Sequence, residues 1–276
     1  MKLGFFDQQV RHIYYGILSA LSVVGTFVFA YVDIKPAYKL YAALGTLAAF
    51  ALIYIAIWLY YKKQDSIRLK INNSEIEVKF GDIFSEEADL KAIAFNEYFD
   101  TKVDDVIISA SSLNGQYIKK YYAQNVQKLD KIIEKDQHIH ENVAGKNETR
   151  PAGKKVKYKL GSIVVVGNYL LVAFSHFDKD NKAYLEINDY ISCLLNFWNE
   201  VDRVYARKTV VLPLLGSGIT RFKGYDGISD QELLELIIWT FKVSRIRFTY
   251  PAKAKIVIFD GKKDKINLLS LKKFEQ

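Results

Sequence analysis

The chain has 276 residues, half of them hydrophobic and 14% aromatic, which is ample for a core and excludes disorder as the default state. A single cysteine, Cys193, excludes an intrachain disulfide. The net charge of +8 divides into +4 over residues 1–63 and +4 over 64–276, too thin a surplus for a nucleic-acid footprint.

Residues 13–32 and 40–61 run for 20 and 22 positions without a charge. As helices, each is long enough to cross about 30 Å of hydrocarbon. The short turn between them holds Asp33, Lys35, Pro36 and Lys39. The pattern predicts a two-helix transmembrane hairpin over residues 1–63, with both ends on one side. Lys2 and Arg11 precede the first span, and Lys62, Lys63, Arg68 and Lys70 follow the second, against Lys35 and Lys39 in the turn. The positive-inside bias puts both termini in the cytoplasm. Tyr14, Tyr15, Tyr31, Tyr54, Trp58, Tyr60 and Tyr61 suit an interfacial aromatic belt. A signal peptide and a buried soluble hairpin are the competing readings. Gly16, Ser19, Ser22 and Gly25 recur at helical spacing on the first span, and Ala42, Gly45 and Ala49 on the second. Such stripes let helices approach closely, within a hairpin or between chains.

Residues 64–276 read as alternating strands and helices, which predicts a layered α/β domain. Residues 67–80 form a hairpin turning at Asn72-Asn73-Ser74. Residues 85–95 read as a short helix or turn, N-capped by Ser85, running into a strand. Residues 103–111 are a short apolar run, and 115–135 one amphipathic helix. Residues 136–160, rich in Lys, Gly and Asn, read as an exposed loop whose Lys146, Arg150, Lys154, Lys155, Lys157 and Lys159 are solvated or touch anionic lipid. A hairpin follows at 162–177 with Gly167-Asn168 at its turn, then a helix at 185–207 and a buried strand at 209–215. A helix at 229–246 has Ser229 and Glu232 at capping-box spacing, and 254–260 is the last strand.

Chemistry concentrates in VVLPLLGSGITRF, residues 210–222. Glycines after a strand let backbone N–H groups face an anion, although a tight turn needs the same residues. The stretch lacks the Lys-Ser/Thr of a Walker loop and the three-glycine spacing of a dinucleotide fingerprint. His138, His140 and Glu141 sit at metal-ligand spacing in a polar segment, where solvated surface is the plainer reading. Cys193 stands beside Leu194 and Leu195 and reads as core.

Four pieces occur in order: Gly81-Asp82-Ile83, AIAFNEYFDT at 92–101, SSLNGQYI at 111–118 and LPLLGSGITRF at 212–222. Together they resemble the macrodomain family, which binds ADP-ribose. With the hairpin in front, the whole chain resembles the membrane–macrodomain effectors of type II Thoeris anti-phage systems. The resemblance implies a macrodomain-like three-layer α/β/α domain with a mixed sheet over 64–276, behind the hairpin, in the bacterial inner membrane. It implies an ADP-ribose-like signal nucleotide as ligand, of histidine–ADP-ribose type, made by a TIR-domain partner. It further implies no other cofactor, no catalysis, contact with membrane lipid, homo-oligomers on activation and no nucleic acid.

Carried residue by residue, Asp82 would accept a hydrogen bond from the adenine amino group and Ile83 would line the adenine site. Asn96 falls near the distal ribose. Asn114 and Gly115 match the first phosphate loop. Gly216, Ser217, Gly218 and Ile219 match the second, flanked by Leu215, Thr220 and Arg221. Two departures separate the chain from the hydrolases of that fold. Phe99 stands where they keep a second asparagine, and Gly115 stands where they keep a glycine run. Phe99 cannot position a water by hydrogen bonding, which favours sensing over catalysis. A membrane-anchored ADP-ribosyl hydrolase and a tethered scaffold with an empty pocket are the alternatives.

Overall fold

Helix α1 (Gln8–Tyr31) starts at Asp7, whose carboxylate accepts from the Gln9 and Val10 N–H groups. A 3₁₀ turn over Pro36–Tyr38 leads into α2 (Lys39–Lys62). Pro36 suits the first position because its missing N–H would have no partner there. Both helices are long and apolar enough to cross a membrane. Their apolar side chains are left uncovered, Phe27 at 68% and Leu52 at 65% exposure, so a hairpin buried in a soluble core does not describe them. Near the domain, Phe5 packs edge-on against Tyr54 and Trp58 with ring centroids 5.1 and 5.3 Å apart. The computed structural model describes residues 3–225, 227–244 and 246–275. Lys2 of the charge bias and Arg245 of the predicted helix lie outside them.

The hairpin β1 (Ser66–Ile71) and β2 (Ser74–Phe80) pairs Ile71 with Ser74. Its turn is two residues, Asn72 and Asn73, at φ 53° and 61°. Asparagine tolerates that region, and such turns match the strand twist. Then come β3 (Leu90–Asn96), α3 (Leu113–Tyr122), α4 (Val126–Lys135), α5 (Gln137–Glu141), β4 (Val143–Lys146) and β5 (Val156–Tyr158). They are followed by β6 (Ile163–Val166), β7 (Tyr169–Phe177), β8 (Ala183–Glu186), α6 (Ile187–Val204), β9 (Val210–Pro213), β10 (Arg221–Lys223), α7 (Asp230–Ser244) and β11 (Ala254–Ile258). Two 3₁₀ segments, Asp260–Lys265 and Leu269–Phe274, end the described chain.

The main sheet runs β1-β2-β11-β9-β3-β7-β8-β10, with β6 also on β7. From β2 to β7 every pairing is parallel, while β1, β6 and β8 join antiparallel, so the sheet is mixed. Alternate residues of the central strands serve opposite faces. Val210, Leu212, Ile256 and Ile258 pack with α6 and α7, whereas Val211, Val257, Ile93 and Phe95 pack with α3 and α4. Both faces are covered, which is why these strands read as continuous apolar runs. The domain is the three-layer α/β/α arrangement.

Three expectations need correction. Residues 115–135 are two helices, because Asn125 breaks the run and its side chain caps α4 through the Lys128 N–H. Ser85 caps no helix; it closes a turn with Asp82 ahead of β3. Residues 136–160 are not an exposed loop. They contain α5 and the antiparallel pair β4–β5, and Arg150 is 6% exposed. Lysine density marked the segment as surface, but the buried arginine has a partner, Asp100, fifty positions away.

Candidate functional site

Because β2, β11, β9 and β3 are parallel neighbours, their carboxyl ends emerge along one edge of the sheet. Crevices at such edges are where open α/β sheets bind ligands. Asp82 follows β2, Phe259 follows β11, Gly216 follows β9 and Asn96 ends β3. The N-terminus of α3 returns to the same edge after β3. Topology therefore brings Asp82, Asn96, Gly216 and the start of α3 to one edge, while Arg221, on β10, lies at the far side of the sheet.

The chain between β9 and β10 is a strap. It must pass from one side of β3 to the far side of β8. Four strand spacings come to about 19 Å, within reach of eight residue steps at about 3.4 Å each. The Ser217 N–H and hydroxyl both donate to the Leu214 carbonyl, at 3.3 and 2.7 Å, closing a turn at its start. Gly216 has φ +85°, and a Cβ there would meet the Phe222 and Tyr190 rings at 3.1 and 3.4 Å. The Tyr190 hydroxyl donates to the Leu215 and Leu233 carbonyls, fixing the strap to α6 and α7; full burial pushes its acidity down, so it stays a donor. Gly218 has nothing within 4 Å of its absent Cβ, so its backbone is open to an approaching group. Leu215 is core, Ile219 is 58% exposed, Thr220 is half-buried, and Arg221 is exposed at the sheet edge opposite Tyr184. An open cavity of about 520 Å³ lies on the α7 side of the strap, lined by Gly216, Ser217, Gly218, Asp230, Lys262 and Lys265 among others. Asp82, Ile83, Asn96, Asn114 and Gly115 do not line it.

On the other flank, Ser112 caps α3 by accepting from the Gly115 N–H at 3.0 Å. A Cβ on Gly115 would sit 2.2 Å from the Ser109 carbonyl oxygen, so this glycine serves a backbone crossing. Asn114 is buried, and its Oδ1 has no hydrogen-bond partner among the described residues. A buried amide oxygen without a donor costs free energy until one arrives. Asp82 is exposed, with its oxygens accepting from the Phe84 N–H and the Ser85 hydroxyl. Ile83 is 4% exposed and packs in the core cluster with Ile93 and Val257.

Asn96 is sealed. Its Oδ1 accepts from the Tyr98 and Asp100 N–H groups and its amide donates to Asp100 Oδ2 at 2.9 Å. It stiffens the turn that carries Phe99 at φ 49° into the core, against Phe95 and Tyr158. Asp100 also binds Arg150 at 2.7 Å, with both side chains 2% exposed. The guanidinium lies 3.9 Å over the Tyr98 ring and donates to Asn181. Beside this pair, Glu97 takes His176 Nδ1 at 2.8 Å and Lys157 Nζ at 3.3 Å. Burial would raise the Glu97 pKa, but hydrogen bonding and charge from His176, then Lys157, carry it below the usual carboxylate value. The hydrogen bond to Glu97 raises His176, against the opposing effect of burial.

Sequence reading missed the Asp100–Arg150 pair, Lys262 behind the strap, and Phe259, a ring 69% exposed at the carboxyl end of β11. Phe259 was legible as an aromatic ending an apolar strand; the other two depend on contacts across the fold. The two histidines part: His138 Nε2 lies 2.9 Å from both Glu200 oxygens, and His140 Nε2 lies 2.7 Å from the Glu134 carbonyl. His138 is therefore half-buried against α6 instead of solvated. Cys193 is core, and burial pushes its thiol pKa up.

A model of the macrodomain of the Thoeris protein ThsA matches residues 76–259. That span holds every predicted site residue and leaves out the hairpin and the C-terminal 3₁₀ segments. The Thoeris protein ThsA of Bacillus amyloliquefaciens (strain Y2) is 43% identical over 263 residues, covering 94% of this chain and 87% of that protein. Among solved structures, the Oceanobacillus iheyensis macrodomain with MES bound is 13% identical at a TM-score of 0.48, covering 75% of this chain and 96% of that one. A variant of that macrodomain with ADPR is 11% identical at 0.47, with the same coverage of both chains.

Proposed function

The chain belongs to the Thoeris ThsA macrodomain family, and from that premise we propose that it is the membrane effector of a type II anti-phage system, triggered by an ADP-ribose-derived signal. The signal is of the histidine–ADP-ribose type and comes from a TIR-domain partner. The two apolar helices span the bacterial inner membrane with both termini cytoplasmic. The occupied domain drives assembly into homo-oligomers, and the spans then disrupt the membrane.

The observation that carries this reading is the convergence on one sheet edge of Asp82, the orphaned Asn114 oxygen and the open backbone at Gly218. A nucleoside diphosphate offers each of them a partner. Its base offers an amino donor to Asp82, its phosphates need N–H donors where no side chain intrudes, and a ribose hydroxyl would serve the Asn114 oxygen, in place of the phosphate-loop role that the resemblance implies. Phe259 gives a stacking face next to Asp82, since the Gly81 N–H bonds the Ile258 carbonyl. Phe99, packed into the core, leaves no polar group at the position hydrolases use, which favours a sensor over an enzyme.

The test is thermal unfolding of the full chain in nanodiscs against ADP-ribose, NAD, AMP and histidine–ADP-ribose. A site filled at 100 times its Kd stabilises by about 2.7 kcal/mol. The reading expects a rise in Tm with an ADP-ribose conjugate, lost in Asp82→Ala, with the ligand recovered intact. No rise with any of the four ligands rejects it, and turnover of the conjugate favours a hydrolase.

A further inference from the structure

The strap is tied to the membrane hairpin by a line of polar contacts through the C-terminal segment. Lys262 Nζ donates to the Ser217 carbonyl at 2.5 Å and to both Asp230 oxygens at 2.9 and 3.0 Å. Asp230 opens α7. Its neighbour Gln231 accepts from the Asn267 N–H at 2.8 Å and donates to the Ser270 hydroxyl at 2.9 Å. The Asn267 amide then donates to Asp7 Oδ2 at 2.8 Å, while Asp7 Oδ1 caps α1 through Gln9 and Val10. One carboxylate thus holds the first membrane helix with one oxygen and the domain with the other.

The line is packed into the core along its middle and borders open space where it meets the strap. Gln231 and Asn267 are 8% and 3% exposed, Val10 is fully buried and Asp7 is half-buried, so the middle of the line is shielded from water. Ile266, Leu268 and Leu271 anchor the segment in the core. At the other end, Lys262 is the contact to the strap, and beside it an open cavity of about 520 Å³, with Gly216–Gly218 among its walls, leaves the strap room to shift.

We propose that residues 260–274 are a connector that reports the state of the strap to the first membrane helix. The inference rests on the reading above, that the strap takes a phosphate-bearing ligand. An anion at the strap competes with Asp230 for the Lys262 ammonium, which already touches the strap carbonyl. A displaced Lys262 draws on the 3₁₀ segment that bears it and on Asn267 beyond. The ligand shifts this system only by preferring one arrangement. By linkage, whatever holds the hairpin in its responding state tightens the ligand by the same factor.

The experiment is hydrogen exchange on the full chain in nanodiscs, with ADP-ribose as the probe and histidine–ADP-ribose in its place where ADP-ribose leaves the strap unchanged. In the natural protein, ADP-ribose is expected to slow exchange at the strap and to change it about fivefold or more in the first turn of α1, the lower end of usual coupling strengths. In Asn267→Ala the strap responds and α1 does not. A strap that responds while α1 stays unchanged in the natural protein overturns the connector and leaves ligand binding standing. A strap indifferent both to ADP-ribose and to histidine–ADP-ribose rejects the ligand reading. The connector is then decided by Lys262→Met without ligand: faster exchange in the first turn of α1 supports it, and unchanged exchange overturns it.

Discussion

The glycines near the candidate site do different jobs. Gly115 is held by packing, since a Cβ would stand 2.2 Å from the Ser109 carbonyl oxygen, whereas Gly218 faces open space. Gly115→Ala is expected to cost about 1–3 kcal/mol of stability, the usual range for overpacking. Gly218→Ala should stay within about 0.5 kcal/mol and weaken ADP-ribose binding. Urea unfolding and calorimetric titration measure the two effects; normal binding by Gly218→Ala would return the stretch to being only a turn. Arg150 gives a second contrast. Arg150→Met leaves Asp100 charged in the core, and removing one member of a buried pair costs about 3–5 kcal/mol. Adding Asp100→Asn should cost less than the sum of the two single changes. Additive losses would show that the two residues act separately.

At the scale of elements, legibility followed the range of the interactions. The capping box of α7 was readable because its atoms are three residues apart: the Ser229 N–H and hydroxyl donate to Glu232, and the Glu232 N–H donates to Ser229. The central strands were readable because both faces are apolar. The break at Asn125 was not, because the apolar spacing carries on through it and only the side-chain cap marks the new start. The fold of residues 136–160 was hidden for the opposite reason, since nothing local tells Arg150 that Asp100 will receive it. Of the site, the glycine strap and Asp82 were legible as pattern, while Lys262 was not. The hairpin brings its own prediction. Gly16, Gly25 and Gly45 have nothing within 4 Å of an added Cβ, so these stripes are not consumed in packing α1 on α2. They remain available between chains. Gly25→Leu or Gly45→Leu should abolish assembly and membrane damage while sparing ADP-ribose binding, read by cross-linking and dye leakage. Undiminished assembly in both variants would remove the stripes from the mechanism.

For the molecule as a whole, stability depends on pH through the cluster at Glu97. The His176 pKa is raised above 6.5, so its contribution is full below that pH and lost as pH rises through the folded value. The Glu97 pKa is lowered below 4.5, so its contribution is present above that pH and lost as pH falls through the folded value. The pair therefore supports the fold most between these limits. Unfolding measured from about pH 5.5 to about pH 9 should show stability declining through the upper limit, and His176→Gln should remove that decline. An unchanged slope in the variant would assign it to other groups.

The grip of Asn267 on Asp7 also imposes an order in time. The two residues are 260 positions apart. At about 5–20 residues per second, the ribosome reaches the second roughly 10–50 seconds after the first. On the proposed topology, the hairpin enters the bilayer within that interval, with one oxygen of Asp7 engaged and the other waiting. A copy abandoned before Asn267 has complete spans and no wire to them, so it sits deaf in the membrane. On the proposed connector, only a chain that has reached Asn267 passes the signal to its first helix, and copies abandoned earlier stay silent.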